Sequence, residues 1–404
     1  MSKRIVFHID VNSAFLSWTA TQMVNEGKDD IRLVPSVISG DPNKRTSVIL
    51  AKSIPAKKYK INTGEPISMA LRKCTDLVIA PPDFQLYSKF SKAFKDICRE
   101  YTPVVEEFSI DECFLDMSGM ENVYPDILST AYEIKDRIKT ELGFTVNVGV
   151  GSNKLLAKMA SDFEKPDKVH TLFDYEVESK MWVLPIRDLL FLGKATAEKL
   201  NNIGIKTIGE LAKTDIATLK SLVGNKASEQ LHQHANGIDN EPVNDAPREV
   251  KSYGHSITVE KNVTDKETAY KLLLSLTDAA ASRMRADNVK AHCVCVNIRD
   301  NHFNNKSHQK QFTNCTDITS DIYSTVKELF NEVWNGKTPL RLLGVTLTDI
   351  TKDSNEQLSL FGESTSQNDK KQKIDSVVDA IRNKYGDSKI MLGNIMDTKR
   401  PKKK

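Results

Sequence analysis

Three carboxylates have the placing that phosphate chemistry needs. Asp10 directly follows the apolar run Ile5-Val6-Phe7-His8-Ile9, and Asp111-Glu112 form an adjacent pair far downstream. The run is short and rich in β-formers, so Asp10 falls where a buried strand ends. Val104-Val105-Glu106-Glu107-Phe108 and Cys113-Phe114-Leu115 read as two strands flanking Ser109-Ile110-Asp111-Glu112, which puts the pair near a hairpin tip. If strand end and hairpin tip converge, the three charges repel one another unless hard divalent cations neutralise them. Mg²⁺ takes oxygen ligands and leaves positions for substrate phosphates. Two such ions can activate an attacking hydroxyl and stabilise a leaving pyrophosphate. By spacing alone, three solvated surface acids are the simpler reading.

Other residues carry the same ambiguity. Lys154 and Lys158 are four apart on a helix expected over 154–163, where they share a face: point charges for a triphosphate, or an exposed basic stripe. Phe15 lies on a helix that Asn12 or Ser13 can cap, and an aromatic on such a helix is usually core. The turn Leu192-Gly193-Lys194 can aim backbone N–H groups at a nucleic-acid phosphate, although Gly-Lys is common in helical turns. Gln357-Leu358-Ser359-Leu360-Phe361 is an apolar island in a polar stretch: a docking peptide, or a short element closing the preceding domain.

The elements that must position these residues fit a multidomain α/β and α+β chain of 404 residues, 39% of them hydrophobic. A helix over 123–142, a strand over 145–149 and the helix at 154–163 complete an alternating unit with the acidic strands. A mixed basic subdomain covers about 30–77, and short-looped helices cover 166–240. Strands near 252–259, 293–299 and 342–349 with a helix over 265–285 make a second α/β domain. A polar tail follows, containing an amphipathic segment at 374–385 and ending Lys402-Lys403-Lys404. The net charge of +3 does not by itself announce a nucleic-acid binder. Six cysteines without CxxC spacing read as reduced thiols, and no apolar stretch approaches a membrane span, so a cytoplasmic protein with no membrane contact is expected.

Taken together, these stretches resemble the Y-family translesion DNA polymerases, the group of bacterial DinB- and UmuC-type lesion-bypass enzymes. The resemblance spans about residues 4–350. It is carried by Ser109-Ile110-Asp111-Glu112, by Ile9-Asp10-Val11-Asn12-Ser13-Ala14-Phe15, and by Gly149-Val150-Gly151-Ser152-Asn153-Lys154-Leu155-Leu156-Ala157-Lys158-Met159-Ala160-Ser161. It implies a right-hand polymerase without a proofreading nuclease. The palm would be 1–12 and 78–165, the small fingers 13–77, the helical thumb 166–240, the little finger 245–352, and 353–404 a flexible tail.

The implied activity is error-prone translesion synthesis, transferring a nucleotide from dNTP to a primer 3′-OH. Two Mg²⁺ ions, with Mn²⁺ able to substitute, would sit on Asp10, Asp111, Glu112 and the Val11 carbonyl. Phe15 matches the steric gate against ribose, and Lys158 the triphosphate lysine, with Lys57 and Lys52 assisting. Leu192, Gly193 and Lys194 would meet a DNA phosphate. Gln357, Leu358, Leu360 and Phe361 resemble a peptide for the bacterial sliding clamp. The implied partners are primer–template DNA, dNTP and that clamp, around a monomer. Two stretches depart from the family pattern: Ser53-Ile54-Pro55-Ala56-Lys57-Lys58-Tyr59, where many members have Ser/Asn-Tyr-Glu-Ala-Arg, and Phe191-Leu192-Gly193, where Gly-x-Gly is usual. A nucleotidyl cyclase shares the acidic hairpin but leaves the thumb turn and the peptide unexplained. A DNA-binding accessory protein would have no need of three intact acids.

Overall fold

The acids lie on a sheet whose middle strand is the first in the chain. The computed structural model describes residues 4–247, 249–352, 365–387 and 389–391. The chain divides into two units, Met1–Pro247 and Arg248–Lys404. In order, the first unit runs β1 (Val6–Val11), α1 (Ala14–Asn25), β2 (Ser36–Ile38), β3 (Ala51–Lys52), α2 (Ile54–Lys57), α3 (Ile67–Lys73), β4 (Val78–Ala80), α4 (Phe84–Arg99), β5 (Val105–Glu107), β6 (Glu112–Asp116), α5 (Ile127–Leu142), β7 (Val146–Gly151), α6 (Lys154–Ser161), β8 (Val169–Leu172), α7 (Lys194–Asn202), α8 (Ile208–Lys213), α9 (Ile216–Val223) and α10 (Asn225–Ala235).

The main sheet has the order β5-β6-β1-β7-β8, with β1 antiparallel to both neighbours. Side chains alternate across a strand, so β1 faces two different environments. Phe7, Ile9 and Val11 pack with Trp18, Phe94 and Ile134 of α1, α4 and α5. Val6, His8 and Asp10 point the other way, toward α6: Val6 packs with Ala157, and His8 meets Ser161. α6 presses close to the sheet at Gly149, where a Cβ would stand 1.9 Å from the Ala157 carbonyl oxygen. Only glycine permits that approach. Asn153 caps α6 by accepting the Leu156 N–H. α5 starts at Ile127 because Asp126 caps it, accepting from the Leu128 and Ser129 N–H groups. No side chain caps α1, since Ser13 takes a left-handed conformation and Asn12 turns to Thr145 and Asn147.

β3-β2-β4 form a small sheet with its own core of Val37, Ile49, Ile61 and Ile67. Helices α7 to α10 enclose Leu200, Ile208, Leu211, Leu219 and Leu231.

The second unit contains β9 (Ser252–Val263), α11 (Lys266–Ala286), β10 (Lys290–Asp300), β11 (Asn305–Thr316), α12 (Thr319–Val333), β12 (Leu340–Thr351) and α13 (Thr365–Tyr385). Its antiparallel sheet has the order β11-β10-β12-β9. Leu273, Leu276, Ile322, Val326 and Phe330 of α11 and α12 cover one face of it, packing on Val294, Val296 and Val345.

The expected flexible tail is corrected over α13, Thr365–Tyr385, which docks on α11 and α12. It does so through charge. Arg382 faces Asp278 with both contacts at 3.0 Å, and these residues are 3% and 2% exposed. Asp379 accepts from Ser282 and Arg285, while Asp375 accepts the Thr319 N–H and lies 3.3 Å from Arg285. Ile374, Val377 and Tyr385 stay exposed. A helix held by ion pairs has a polar composition, which is why it reads as tail. The segment Gln357 to Phe361 lies outside the described residues.

Replacing Arg382 by Ala leaves Asp278 buried without its counter-charge, which costs about 3–5 kcal/mol. Urea unfolding should show the second unit melting early in Arg382→Ala, with most of the loss recovered when Asp278→Leu is added to Arg382→Met.

Candidate active site

Backbone pairing brings the three acids to one end of the sheet. Asp10 is registered opposite Glu112 on one side and Asn147 on the other. The Val11 N–H donates to the Asp111 carbonyl at 3.0 Å. Directly opposed like charges on neighbouring strands are destabilising, and each acid here is engaged by another group. Lys165 donates to Asp10 Oδ2 at 2.7 Å and lies 2.8 Å from Asp162. Lys158 pairs with Glu112 Oε1. The Ser109 hydroxyl lies 2.6 Å from Asp111 Oδ1 and 3.2 Å from Glu112 Oε2, and can donate to one of them at a time. Among the described residues, no three Asp, Glu, His or Cys side chains are grouped tightly enough to hold a metal ion as they stand.

Burial raises Asp10 from 3.8 to about 6, with Glu112 and Asp162 adding to the rise and Lys165 opposing it. Burial works against the Lys165 charge, but Asp10 and Asp162 outweigh it and push its pKa up. His8, wholly buried, is held well below its ordinary value by desolvation first and then by Lys158 and Lys165.

One cavity of about 260 Å³ is lined by Asp10, Val11, Asp111, Phe15, Lys52 and Lys57, among others. Phe15 is both wall and packing: its ring stacks on Tyr87 with centroids 4.5 Å apart and meets Phe84 edge-on. Lys52 donates to the Ile61 carbonyl at 2.5 Å, and burial followed by the charge of Lys57 lowers its pKa. A second cavity of about 140 Å³ shares Ser13 and Lys57 with the first and adds Arg32, Ile54 and Lys165. The atypical Ser53-Ile54-Pro55-Ala56-Lys57 stretch thus forms a capped turn, with the Ser53 hydroxyl accepting the Ala56 N–H, that delivers Lys57 to both cavities.

Lys158, expected at a triphosphate, is buried with its ammonium on Glu112 and over the Phe108 ring. Lys154 is held by Glu106 at 2.8 Å. In the helical segment, Leu192 is part of the core, Gly193 precedes α7 with open space where a Cβ would be, and Lys194 is exposed. Phe191, before them, has φ 65° and is 65% exposed. Lys165 and His8 carry no sequence signal of their own. Lys165 is one of several lysines near α6, and only the chain reversal beyond α6 brings it to Asp10.

Residues 9–162 match the impB/mucB/samB family, 250–360 its C-terminal domain, and 187–239 the family described as DNA polymerase-iota, thumb domain. The DNA polymerase IV of Clostridium acetobutylicum is 44% identical over 402 residues, covering 98% of this chain and 99% of that one. That of Clostridium kluyveri is 37% identical over 400 residues, covering 97% and 98%. A solved Y-family DNA polymerase chimera of Dbh and Dpo4 superposes with a TM-score of 0.74 at 23% identity, covering 86% of this chain and all of that one, which shows the fold. Among the described residues no helix is long and apolar enough to cross a membrane.

Because its folded pKa lies above 3.8, Asp10 favours its protonated form in the fold. The penalty is absent below pH 4 and builds as pH rises through about 6. Asp10→Asn should therefore stabilise the metal-free protein by about 1–2 kcal/mol at pH 7.5 and by nothing near pH 4. Mg²⁺ should raise the melting temperature of the wild type at pH 7.5 and leave that of Asp10→Asn nearly unmoved.

Proposed function

The chain belongs to the impB/mucB/samB family, the Y-family DNA polymerases, and from that membership we propose that it carries out error-prone synthesis past damaged template positions, without proofreading. The observation that carries the mechanism is the single cavity bounded by Asp10, Asp111, Phe15, Lys52 and Lys57. The donor set suits hard divalent ions. It offers carboxylate oxygens with a neighbouring backbone carbonyl at Val11, and one of those carboxylates, Asp10, is raised to about 6 by burial and is readily held ionised by a cation. Two Mg²⁺ ions, for which Mn²⁺ can substitute, would supply Lewis acidity toward the primer 3′-OH and the dNTP phosphates.

The protein's own residues supply the rest. Asp10, Asp111 and Glu112 orient the ions and take no part as nucleophiles. Lys57 faces the triphosphate from the capped turn, with Lys52 behind it, and keeps the positive charge of the usual arginine without its bidentate fork. Lys165, which bridges Asp10 and Asp162, is the further cation on that side and would also suit a phosphate oxygen. Lys158, which pairs with Glu112, would also meet the triphosphate. Phe15 excludes a ribose 2′-OH by occupying its space, and the stacked Tyr87 ring keeps it from yielding. Gly193 and Lys194 would offer backbone N–H groups to a DNA phosphate at the start of α7, beside Leu192, whose own N–H goes to the Leu189 carbonyl. Palm, fingers, thumb and little finger take the boundaries read from the sequence. Gln357, Leu358, Leu360 and Phe361 dock a monomeric enzyme on the bacterial sliding clamp.

Primer extension on intact and abasic templates, with Mg²⁺ and single dNTPs or rNTPs, tests this reading. Asp111→Ala should lower dNTP addition at least about 1,000-fold, the scale of lost charge stabilisation at such centres. Phe15→Ala should admit rNTPs while retaining dNTP addition. Absence of extension by the wild type, even with a clamp supplied, would turn the assignment to an accessory DNA-binding role.

A further inference from the structure

Two asparagine amides hold the bend that follows α6. Asn147, on β7 opposite Asp10, is wholly buried, and Asn12 is 7% exposed. The Asn147 Nδ2 donates to the Ser161 carbonyl at 3.0 Å and to the Glu164 carbonyl at 2.6 Å. Its Oδ1 accepts from the Lys168 N–H at 3.3 Å and from the Asn12 Nδ2 at 3.1 Å. The Asn12 Oδ1 accepts in turn from the Asp167 N–H and the Thr145 hydroxyl, each at 3.0 Å. A backbone N–H can only donate and a carbonyl can only accept, so these partners fix which way round each amide lies. Both N–H groups and both lone pairs of the Asn147 amide are thereby used.

The backbone groups so held, at Ser161, Glu164, Asp167 and Lys168, bracket Lys165. The helical bonding of α6 runs out with the Asp162 and Phe163 N–H groups, which reach Met159 and Ala160. Beyond that point the amides of Asn12 and Asn147 take over from the helix. Lys165, inside the bracket, has its ammonium 2.7 Å from Asp10 Oδ2 and 2.8 Å from Asp162 Oδ1. The same side chain lines the cavity of about 140 Å³ that it shares with Lys57 and Arg32. A lysine stem has many rotamers, so the region its charge can reach is set by where its backbone is fixed. Buried carbonyls left without a donor are costly, which ties the bend to Asn147.

We infer that Asn147 is a positioning residue for Lys165: with Asn12 it staples the backbone from Ser161 to Lys168 and so sets the place of an ammonium group that serves the incoming triphosphate. The inference rests on reading Lys165 as a cation suited to a phosphate oxygen.

The test combines dNTP KM and kcat in primer extension with amide hydrogen exchange, all on the full chain. Asn147→Leu keeps the size of the side chain and removes its four hydrogen bonds. Exchange at Asp167 and Lys168 should quicken, while that of α4 stays as in the wild type. The dNTP KM should rise about tenfold, the low end for a lost hydrogen bond to a charged group, and kcat should change less. In a Lys165→Met background, Asn147→Leu should raise KM no further. If Asn147→Leu does not fold, Asn12→Ala frees the Asp167 N–H, leaves the Asn147 bonds to the two carbonyls, and should move both readouts the same way by less. Unchanged exchange and KM in these variants, or a KM penalty that persists without Lys165, would overturn the inference. An unchanged KM in Lys165→Met alone would instead remove the triphosphate reading of Lys165, and the exchange result would then judge the staple by itself.

Discussion

Hydrogen bonding on both edges of β1 is the constraint from which the site follows. A strand paired on both sides cannot slip by one residue without exchanging its faces. Phe7, Ile9 and Val11 are locked into the apolar layer beneath α4 and α5. With those three inward, Val6, His8 and Asp10 have only the opposite face. The same parity puts Glu112 and Phe114 on that face of β6, since Cys113 and Leu115 join the apolar layer. Apolar burial on one side of the sheet thereby sets the charged groups on the other.

On that charged face every acid shares its partner. Asp10, Glu112 and Asp111 are each held by a group that meets a second one: Lys165 also reaches Asp162, Lys158 also lies over the Phe108 ring, and Ser109 lies between two carboxylates. The Arg382–Asp278 pair of the second unit is the contrast. It too is buried, but its guanidinium makes two contacts to one carboxylate, a geometry suited to permanence.

Much of this was legible in the chain. The end of β1, the hairpin with Asp111 and Glu112, and the capped start of α6 all follow from short-range patterns, and those patterns hold within a few residues of the observed ends. β11 was hidden because it is an edge strand whose Lys306, His308, Lys310 and Gln311 are all exposed, so alternation has no apolar face to mark it. The apolar spacing of Ile322, Val326, Leu329 and Phe330 does mark α12 in the sequence. The amphipathic segment 374–385 within α13 was read, but its docking was not, because its contacts are charges whose partners lie from 50 to 104 residues earlier. Lys165 and His8 acquire their meaning only through contacts with residues distant in sequence, across a bend and across a sheet. Family resemblance placed Lys158 at a triphosphate; the sequence alone did not show that its ammonium pairs with Glu112.

The position of β1 also governs the order in which the protein can be made. It leaves the ribosome before both of its neighbours, β6 being synthesised after residue 111 and β7 after residue 145. At about 5–20 residues per second, its apolar face waits on the order of ten seconds for a lasting partner. Through that interval the small sheet and α1 can form local contacts, while the central strand has two open edges and is prone to pairing with the wrong chain. No shorter nascent form holds Asp10 against Glu112 with both edges of β1 satisfied, so the catalytic face is completed only once β7 has been added.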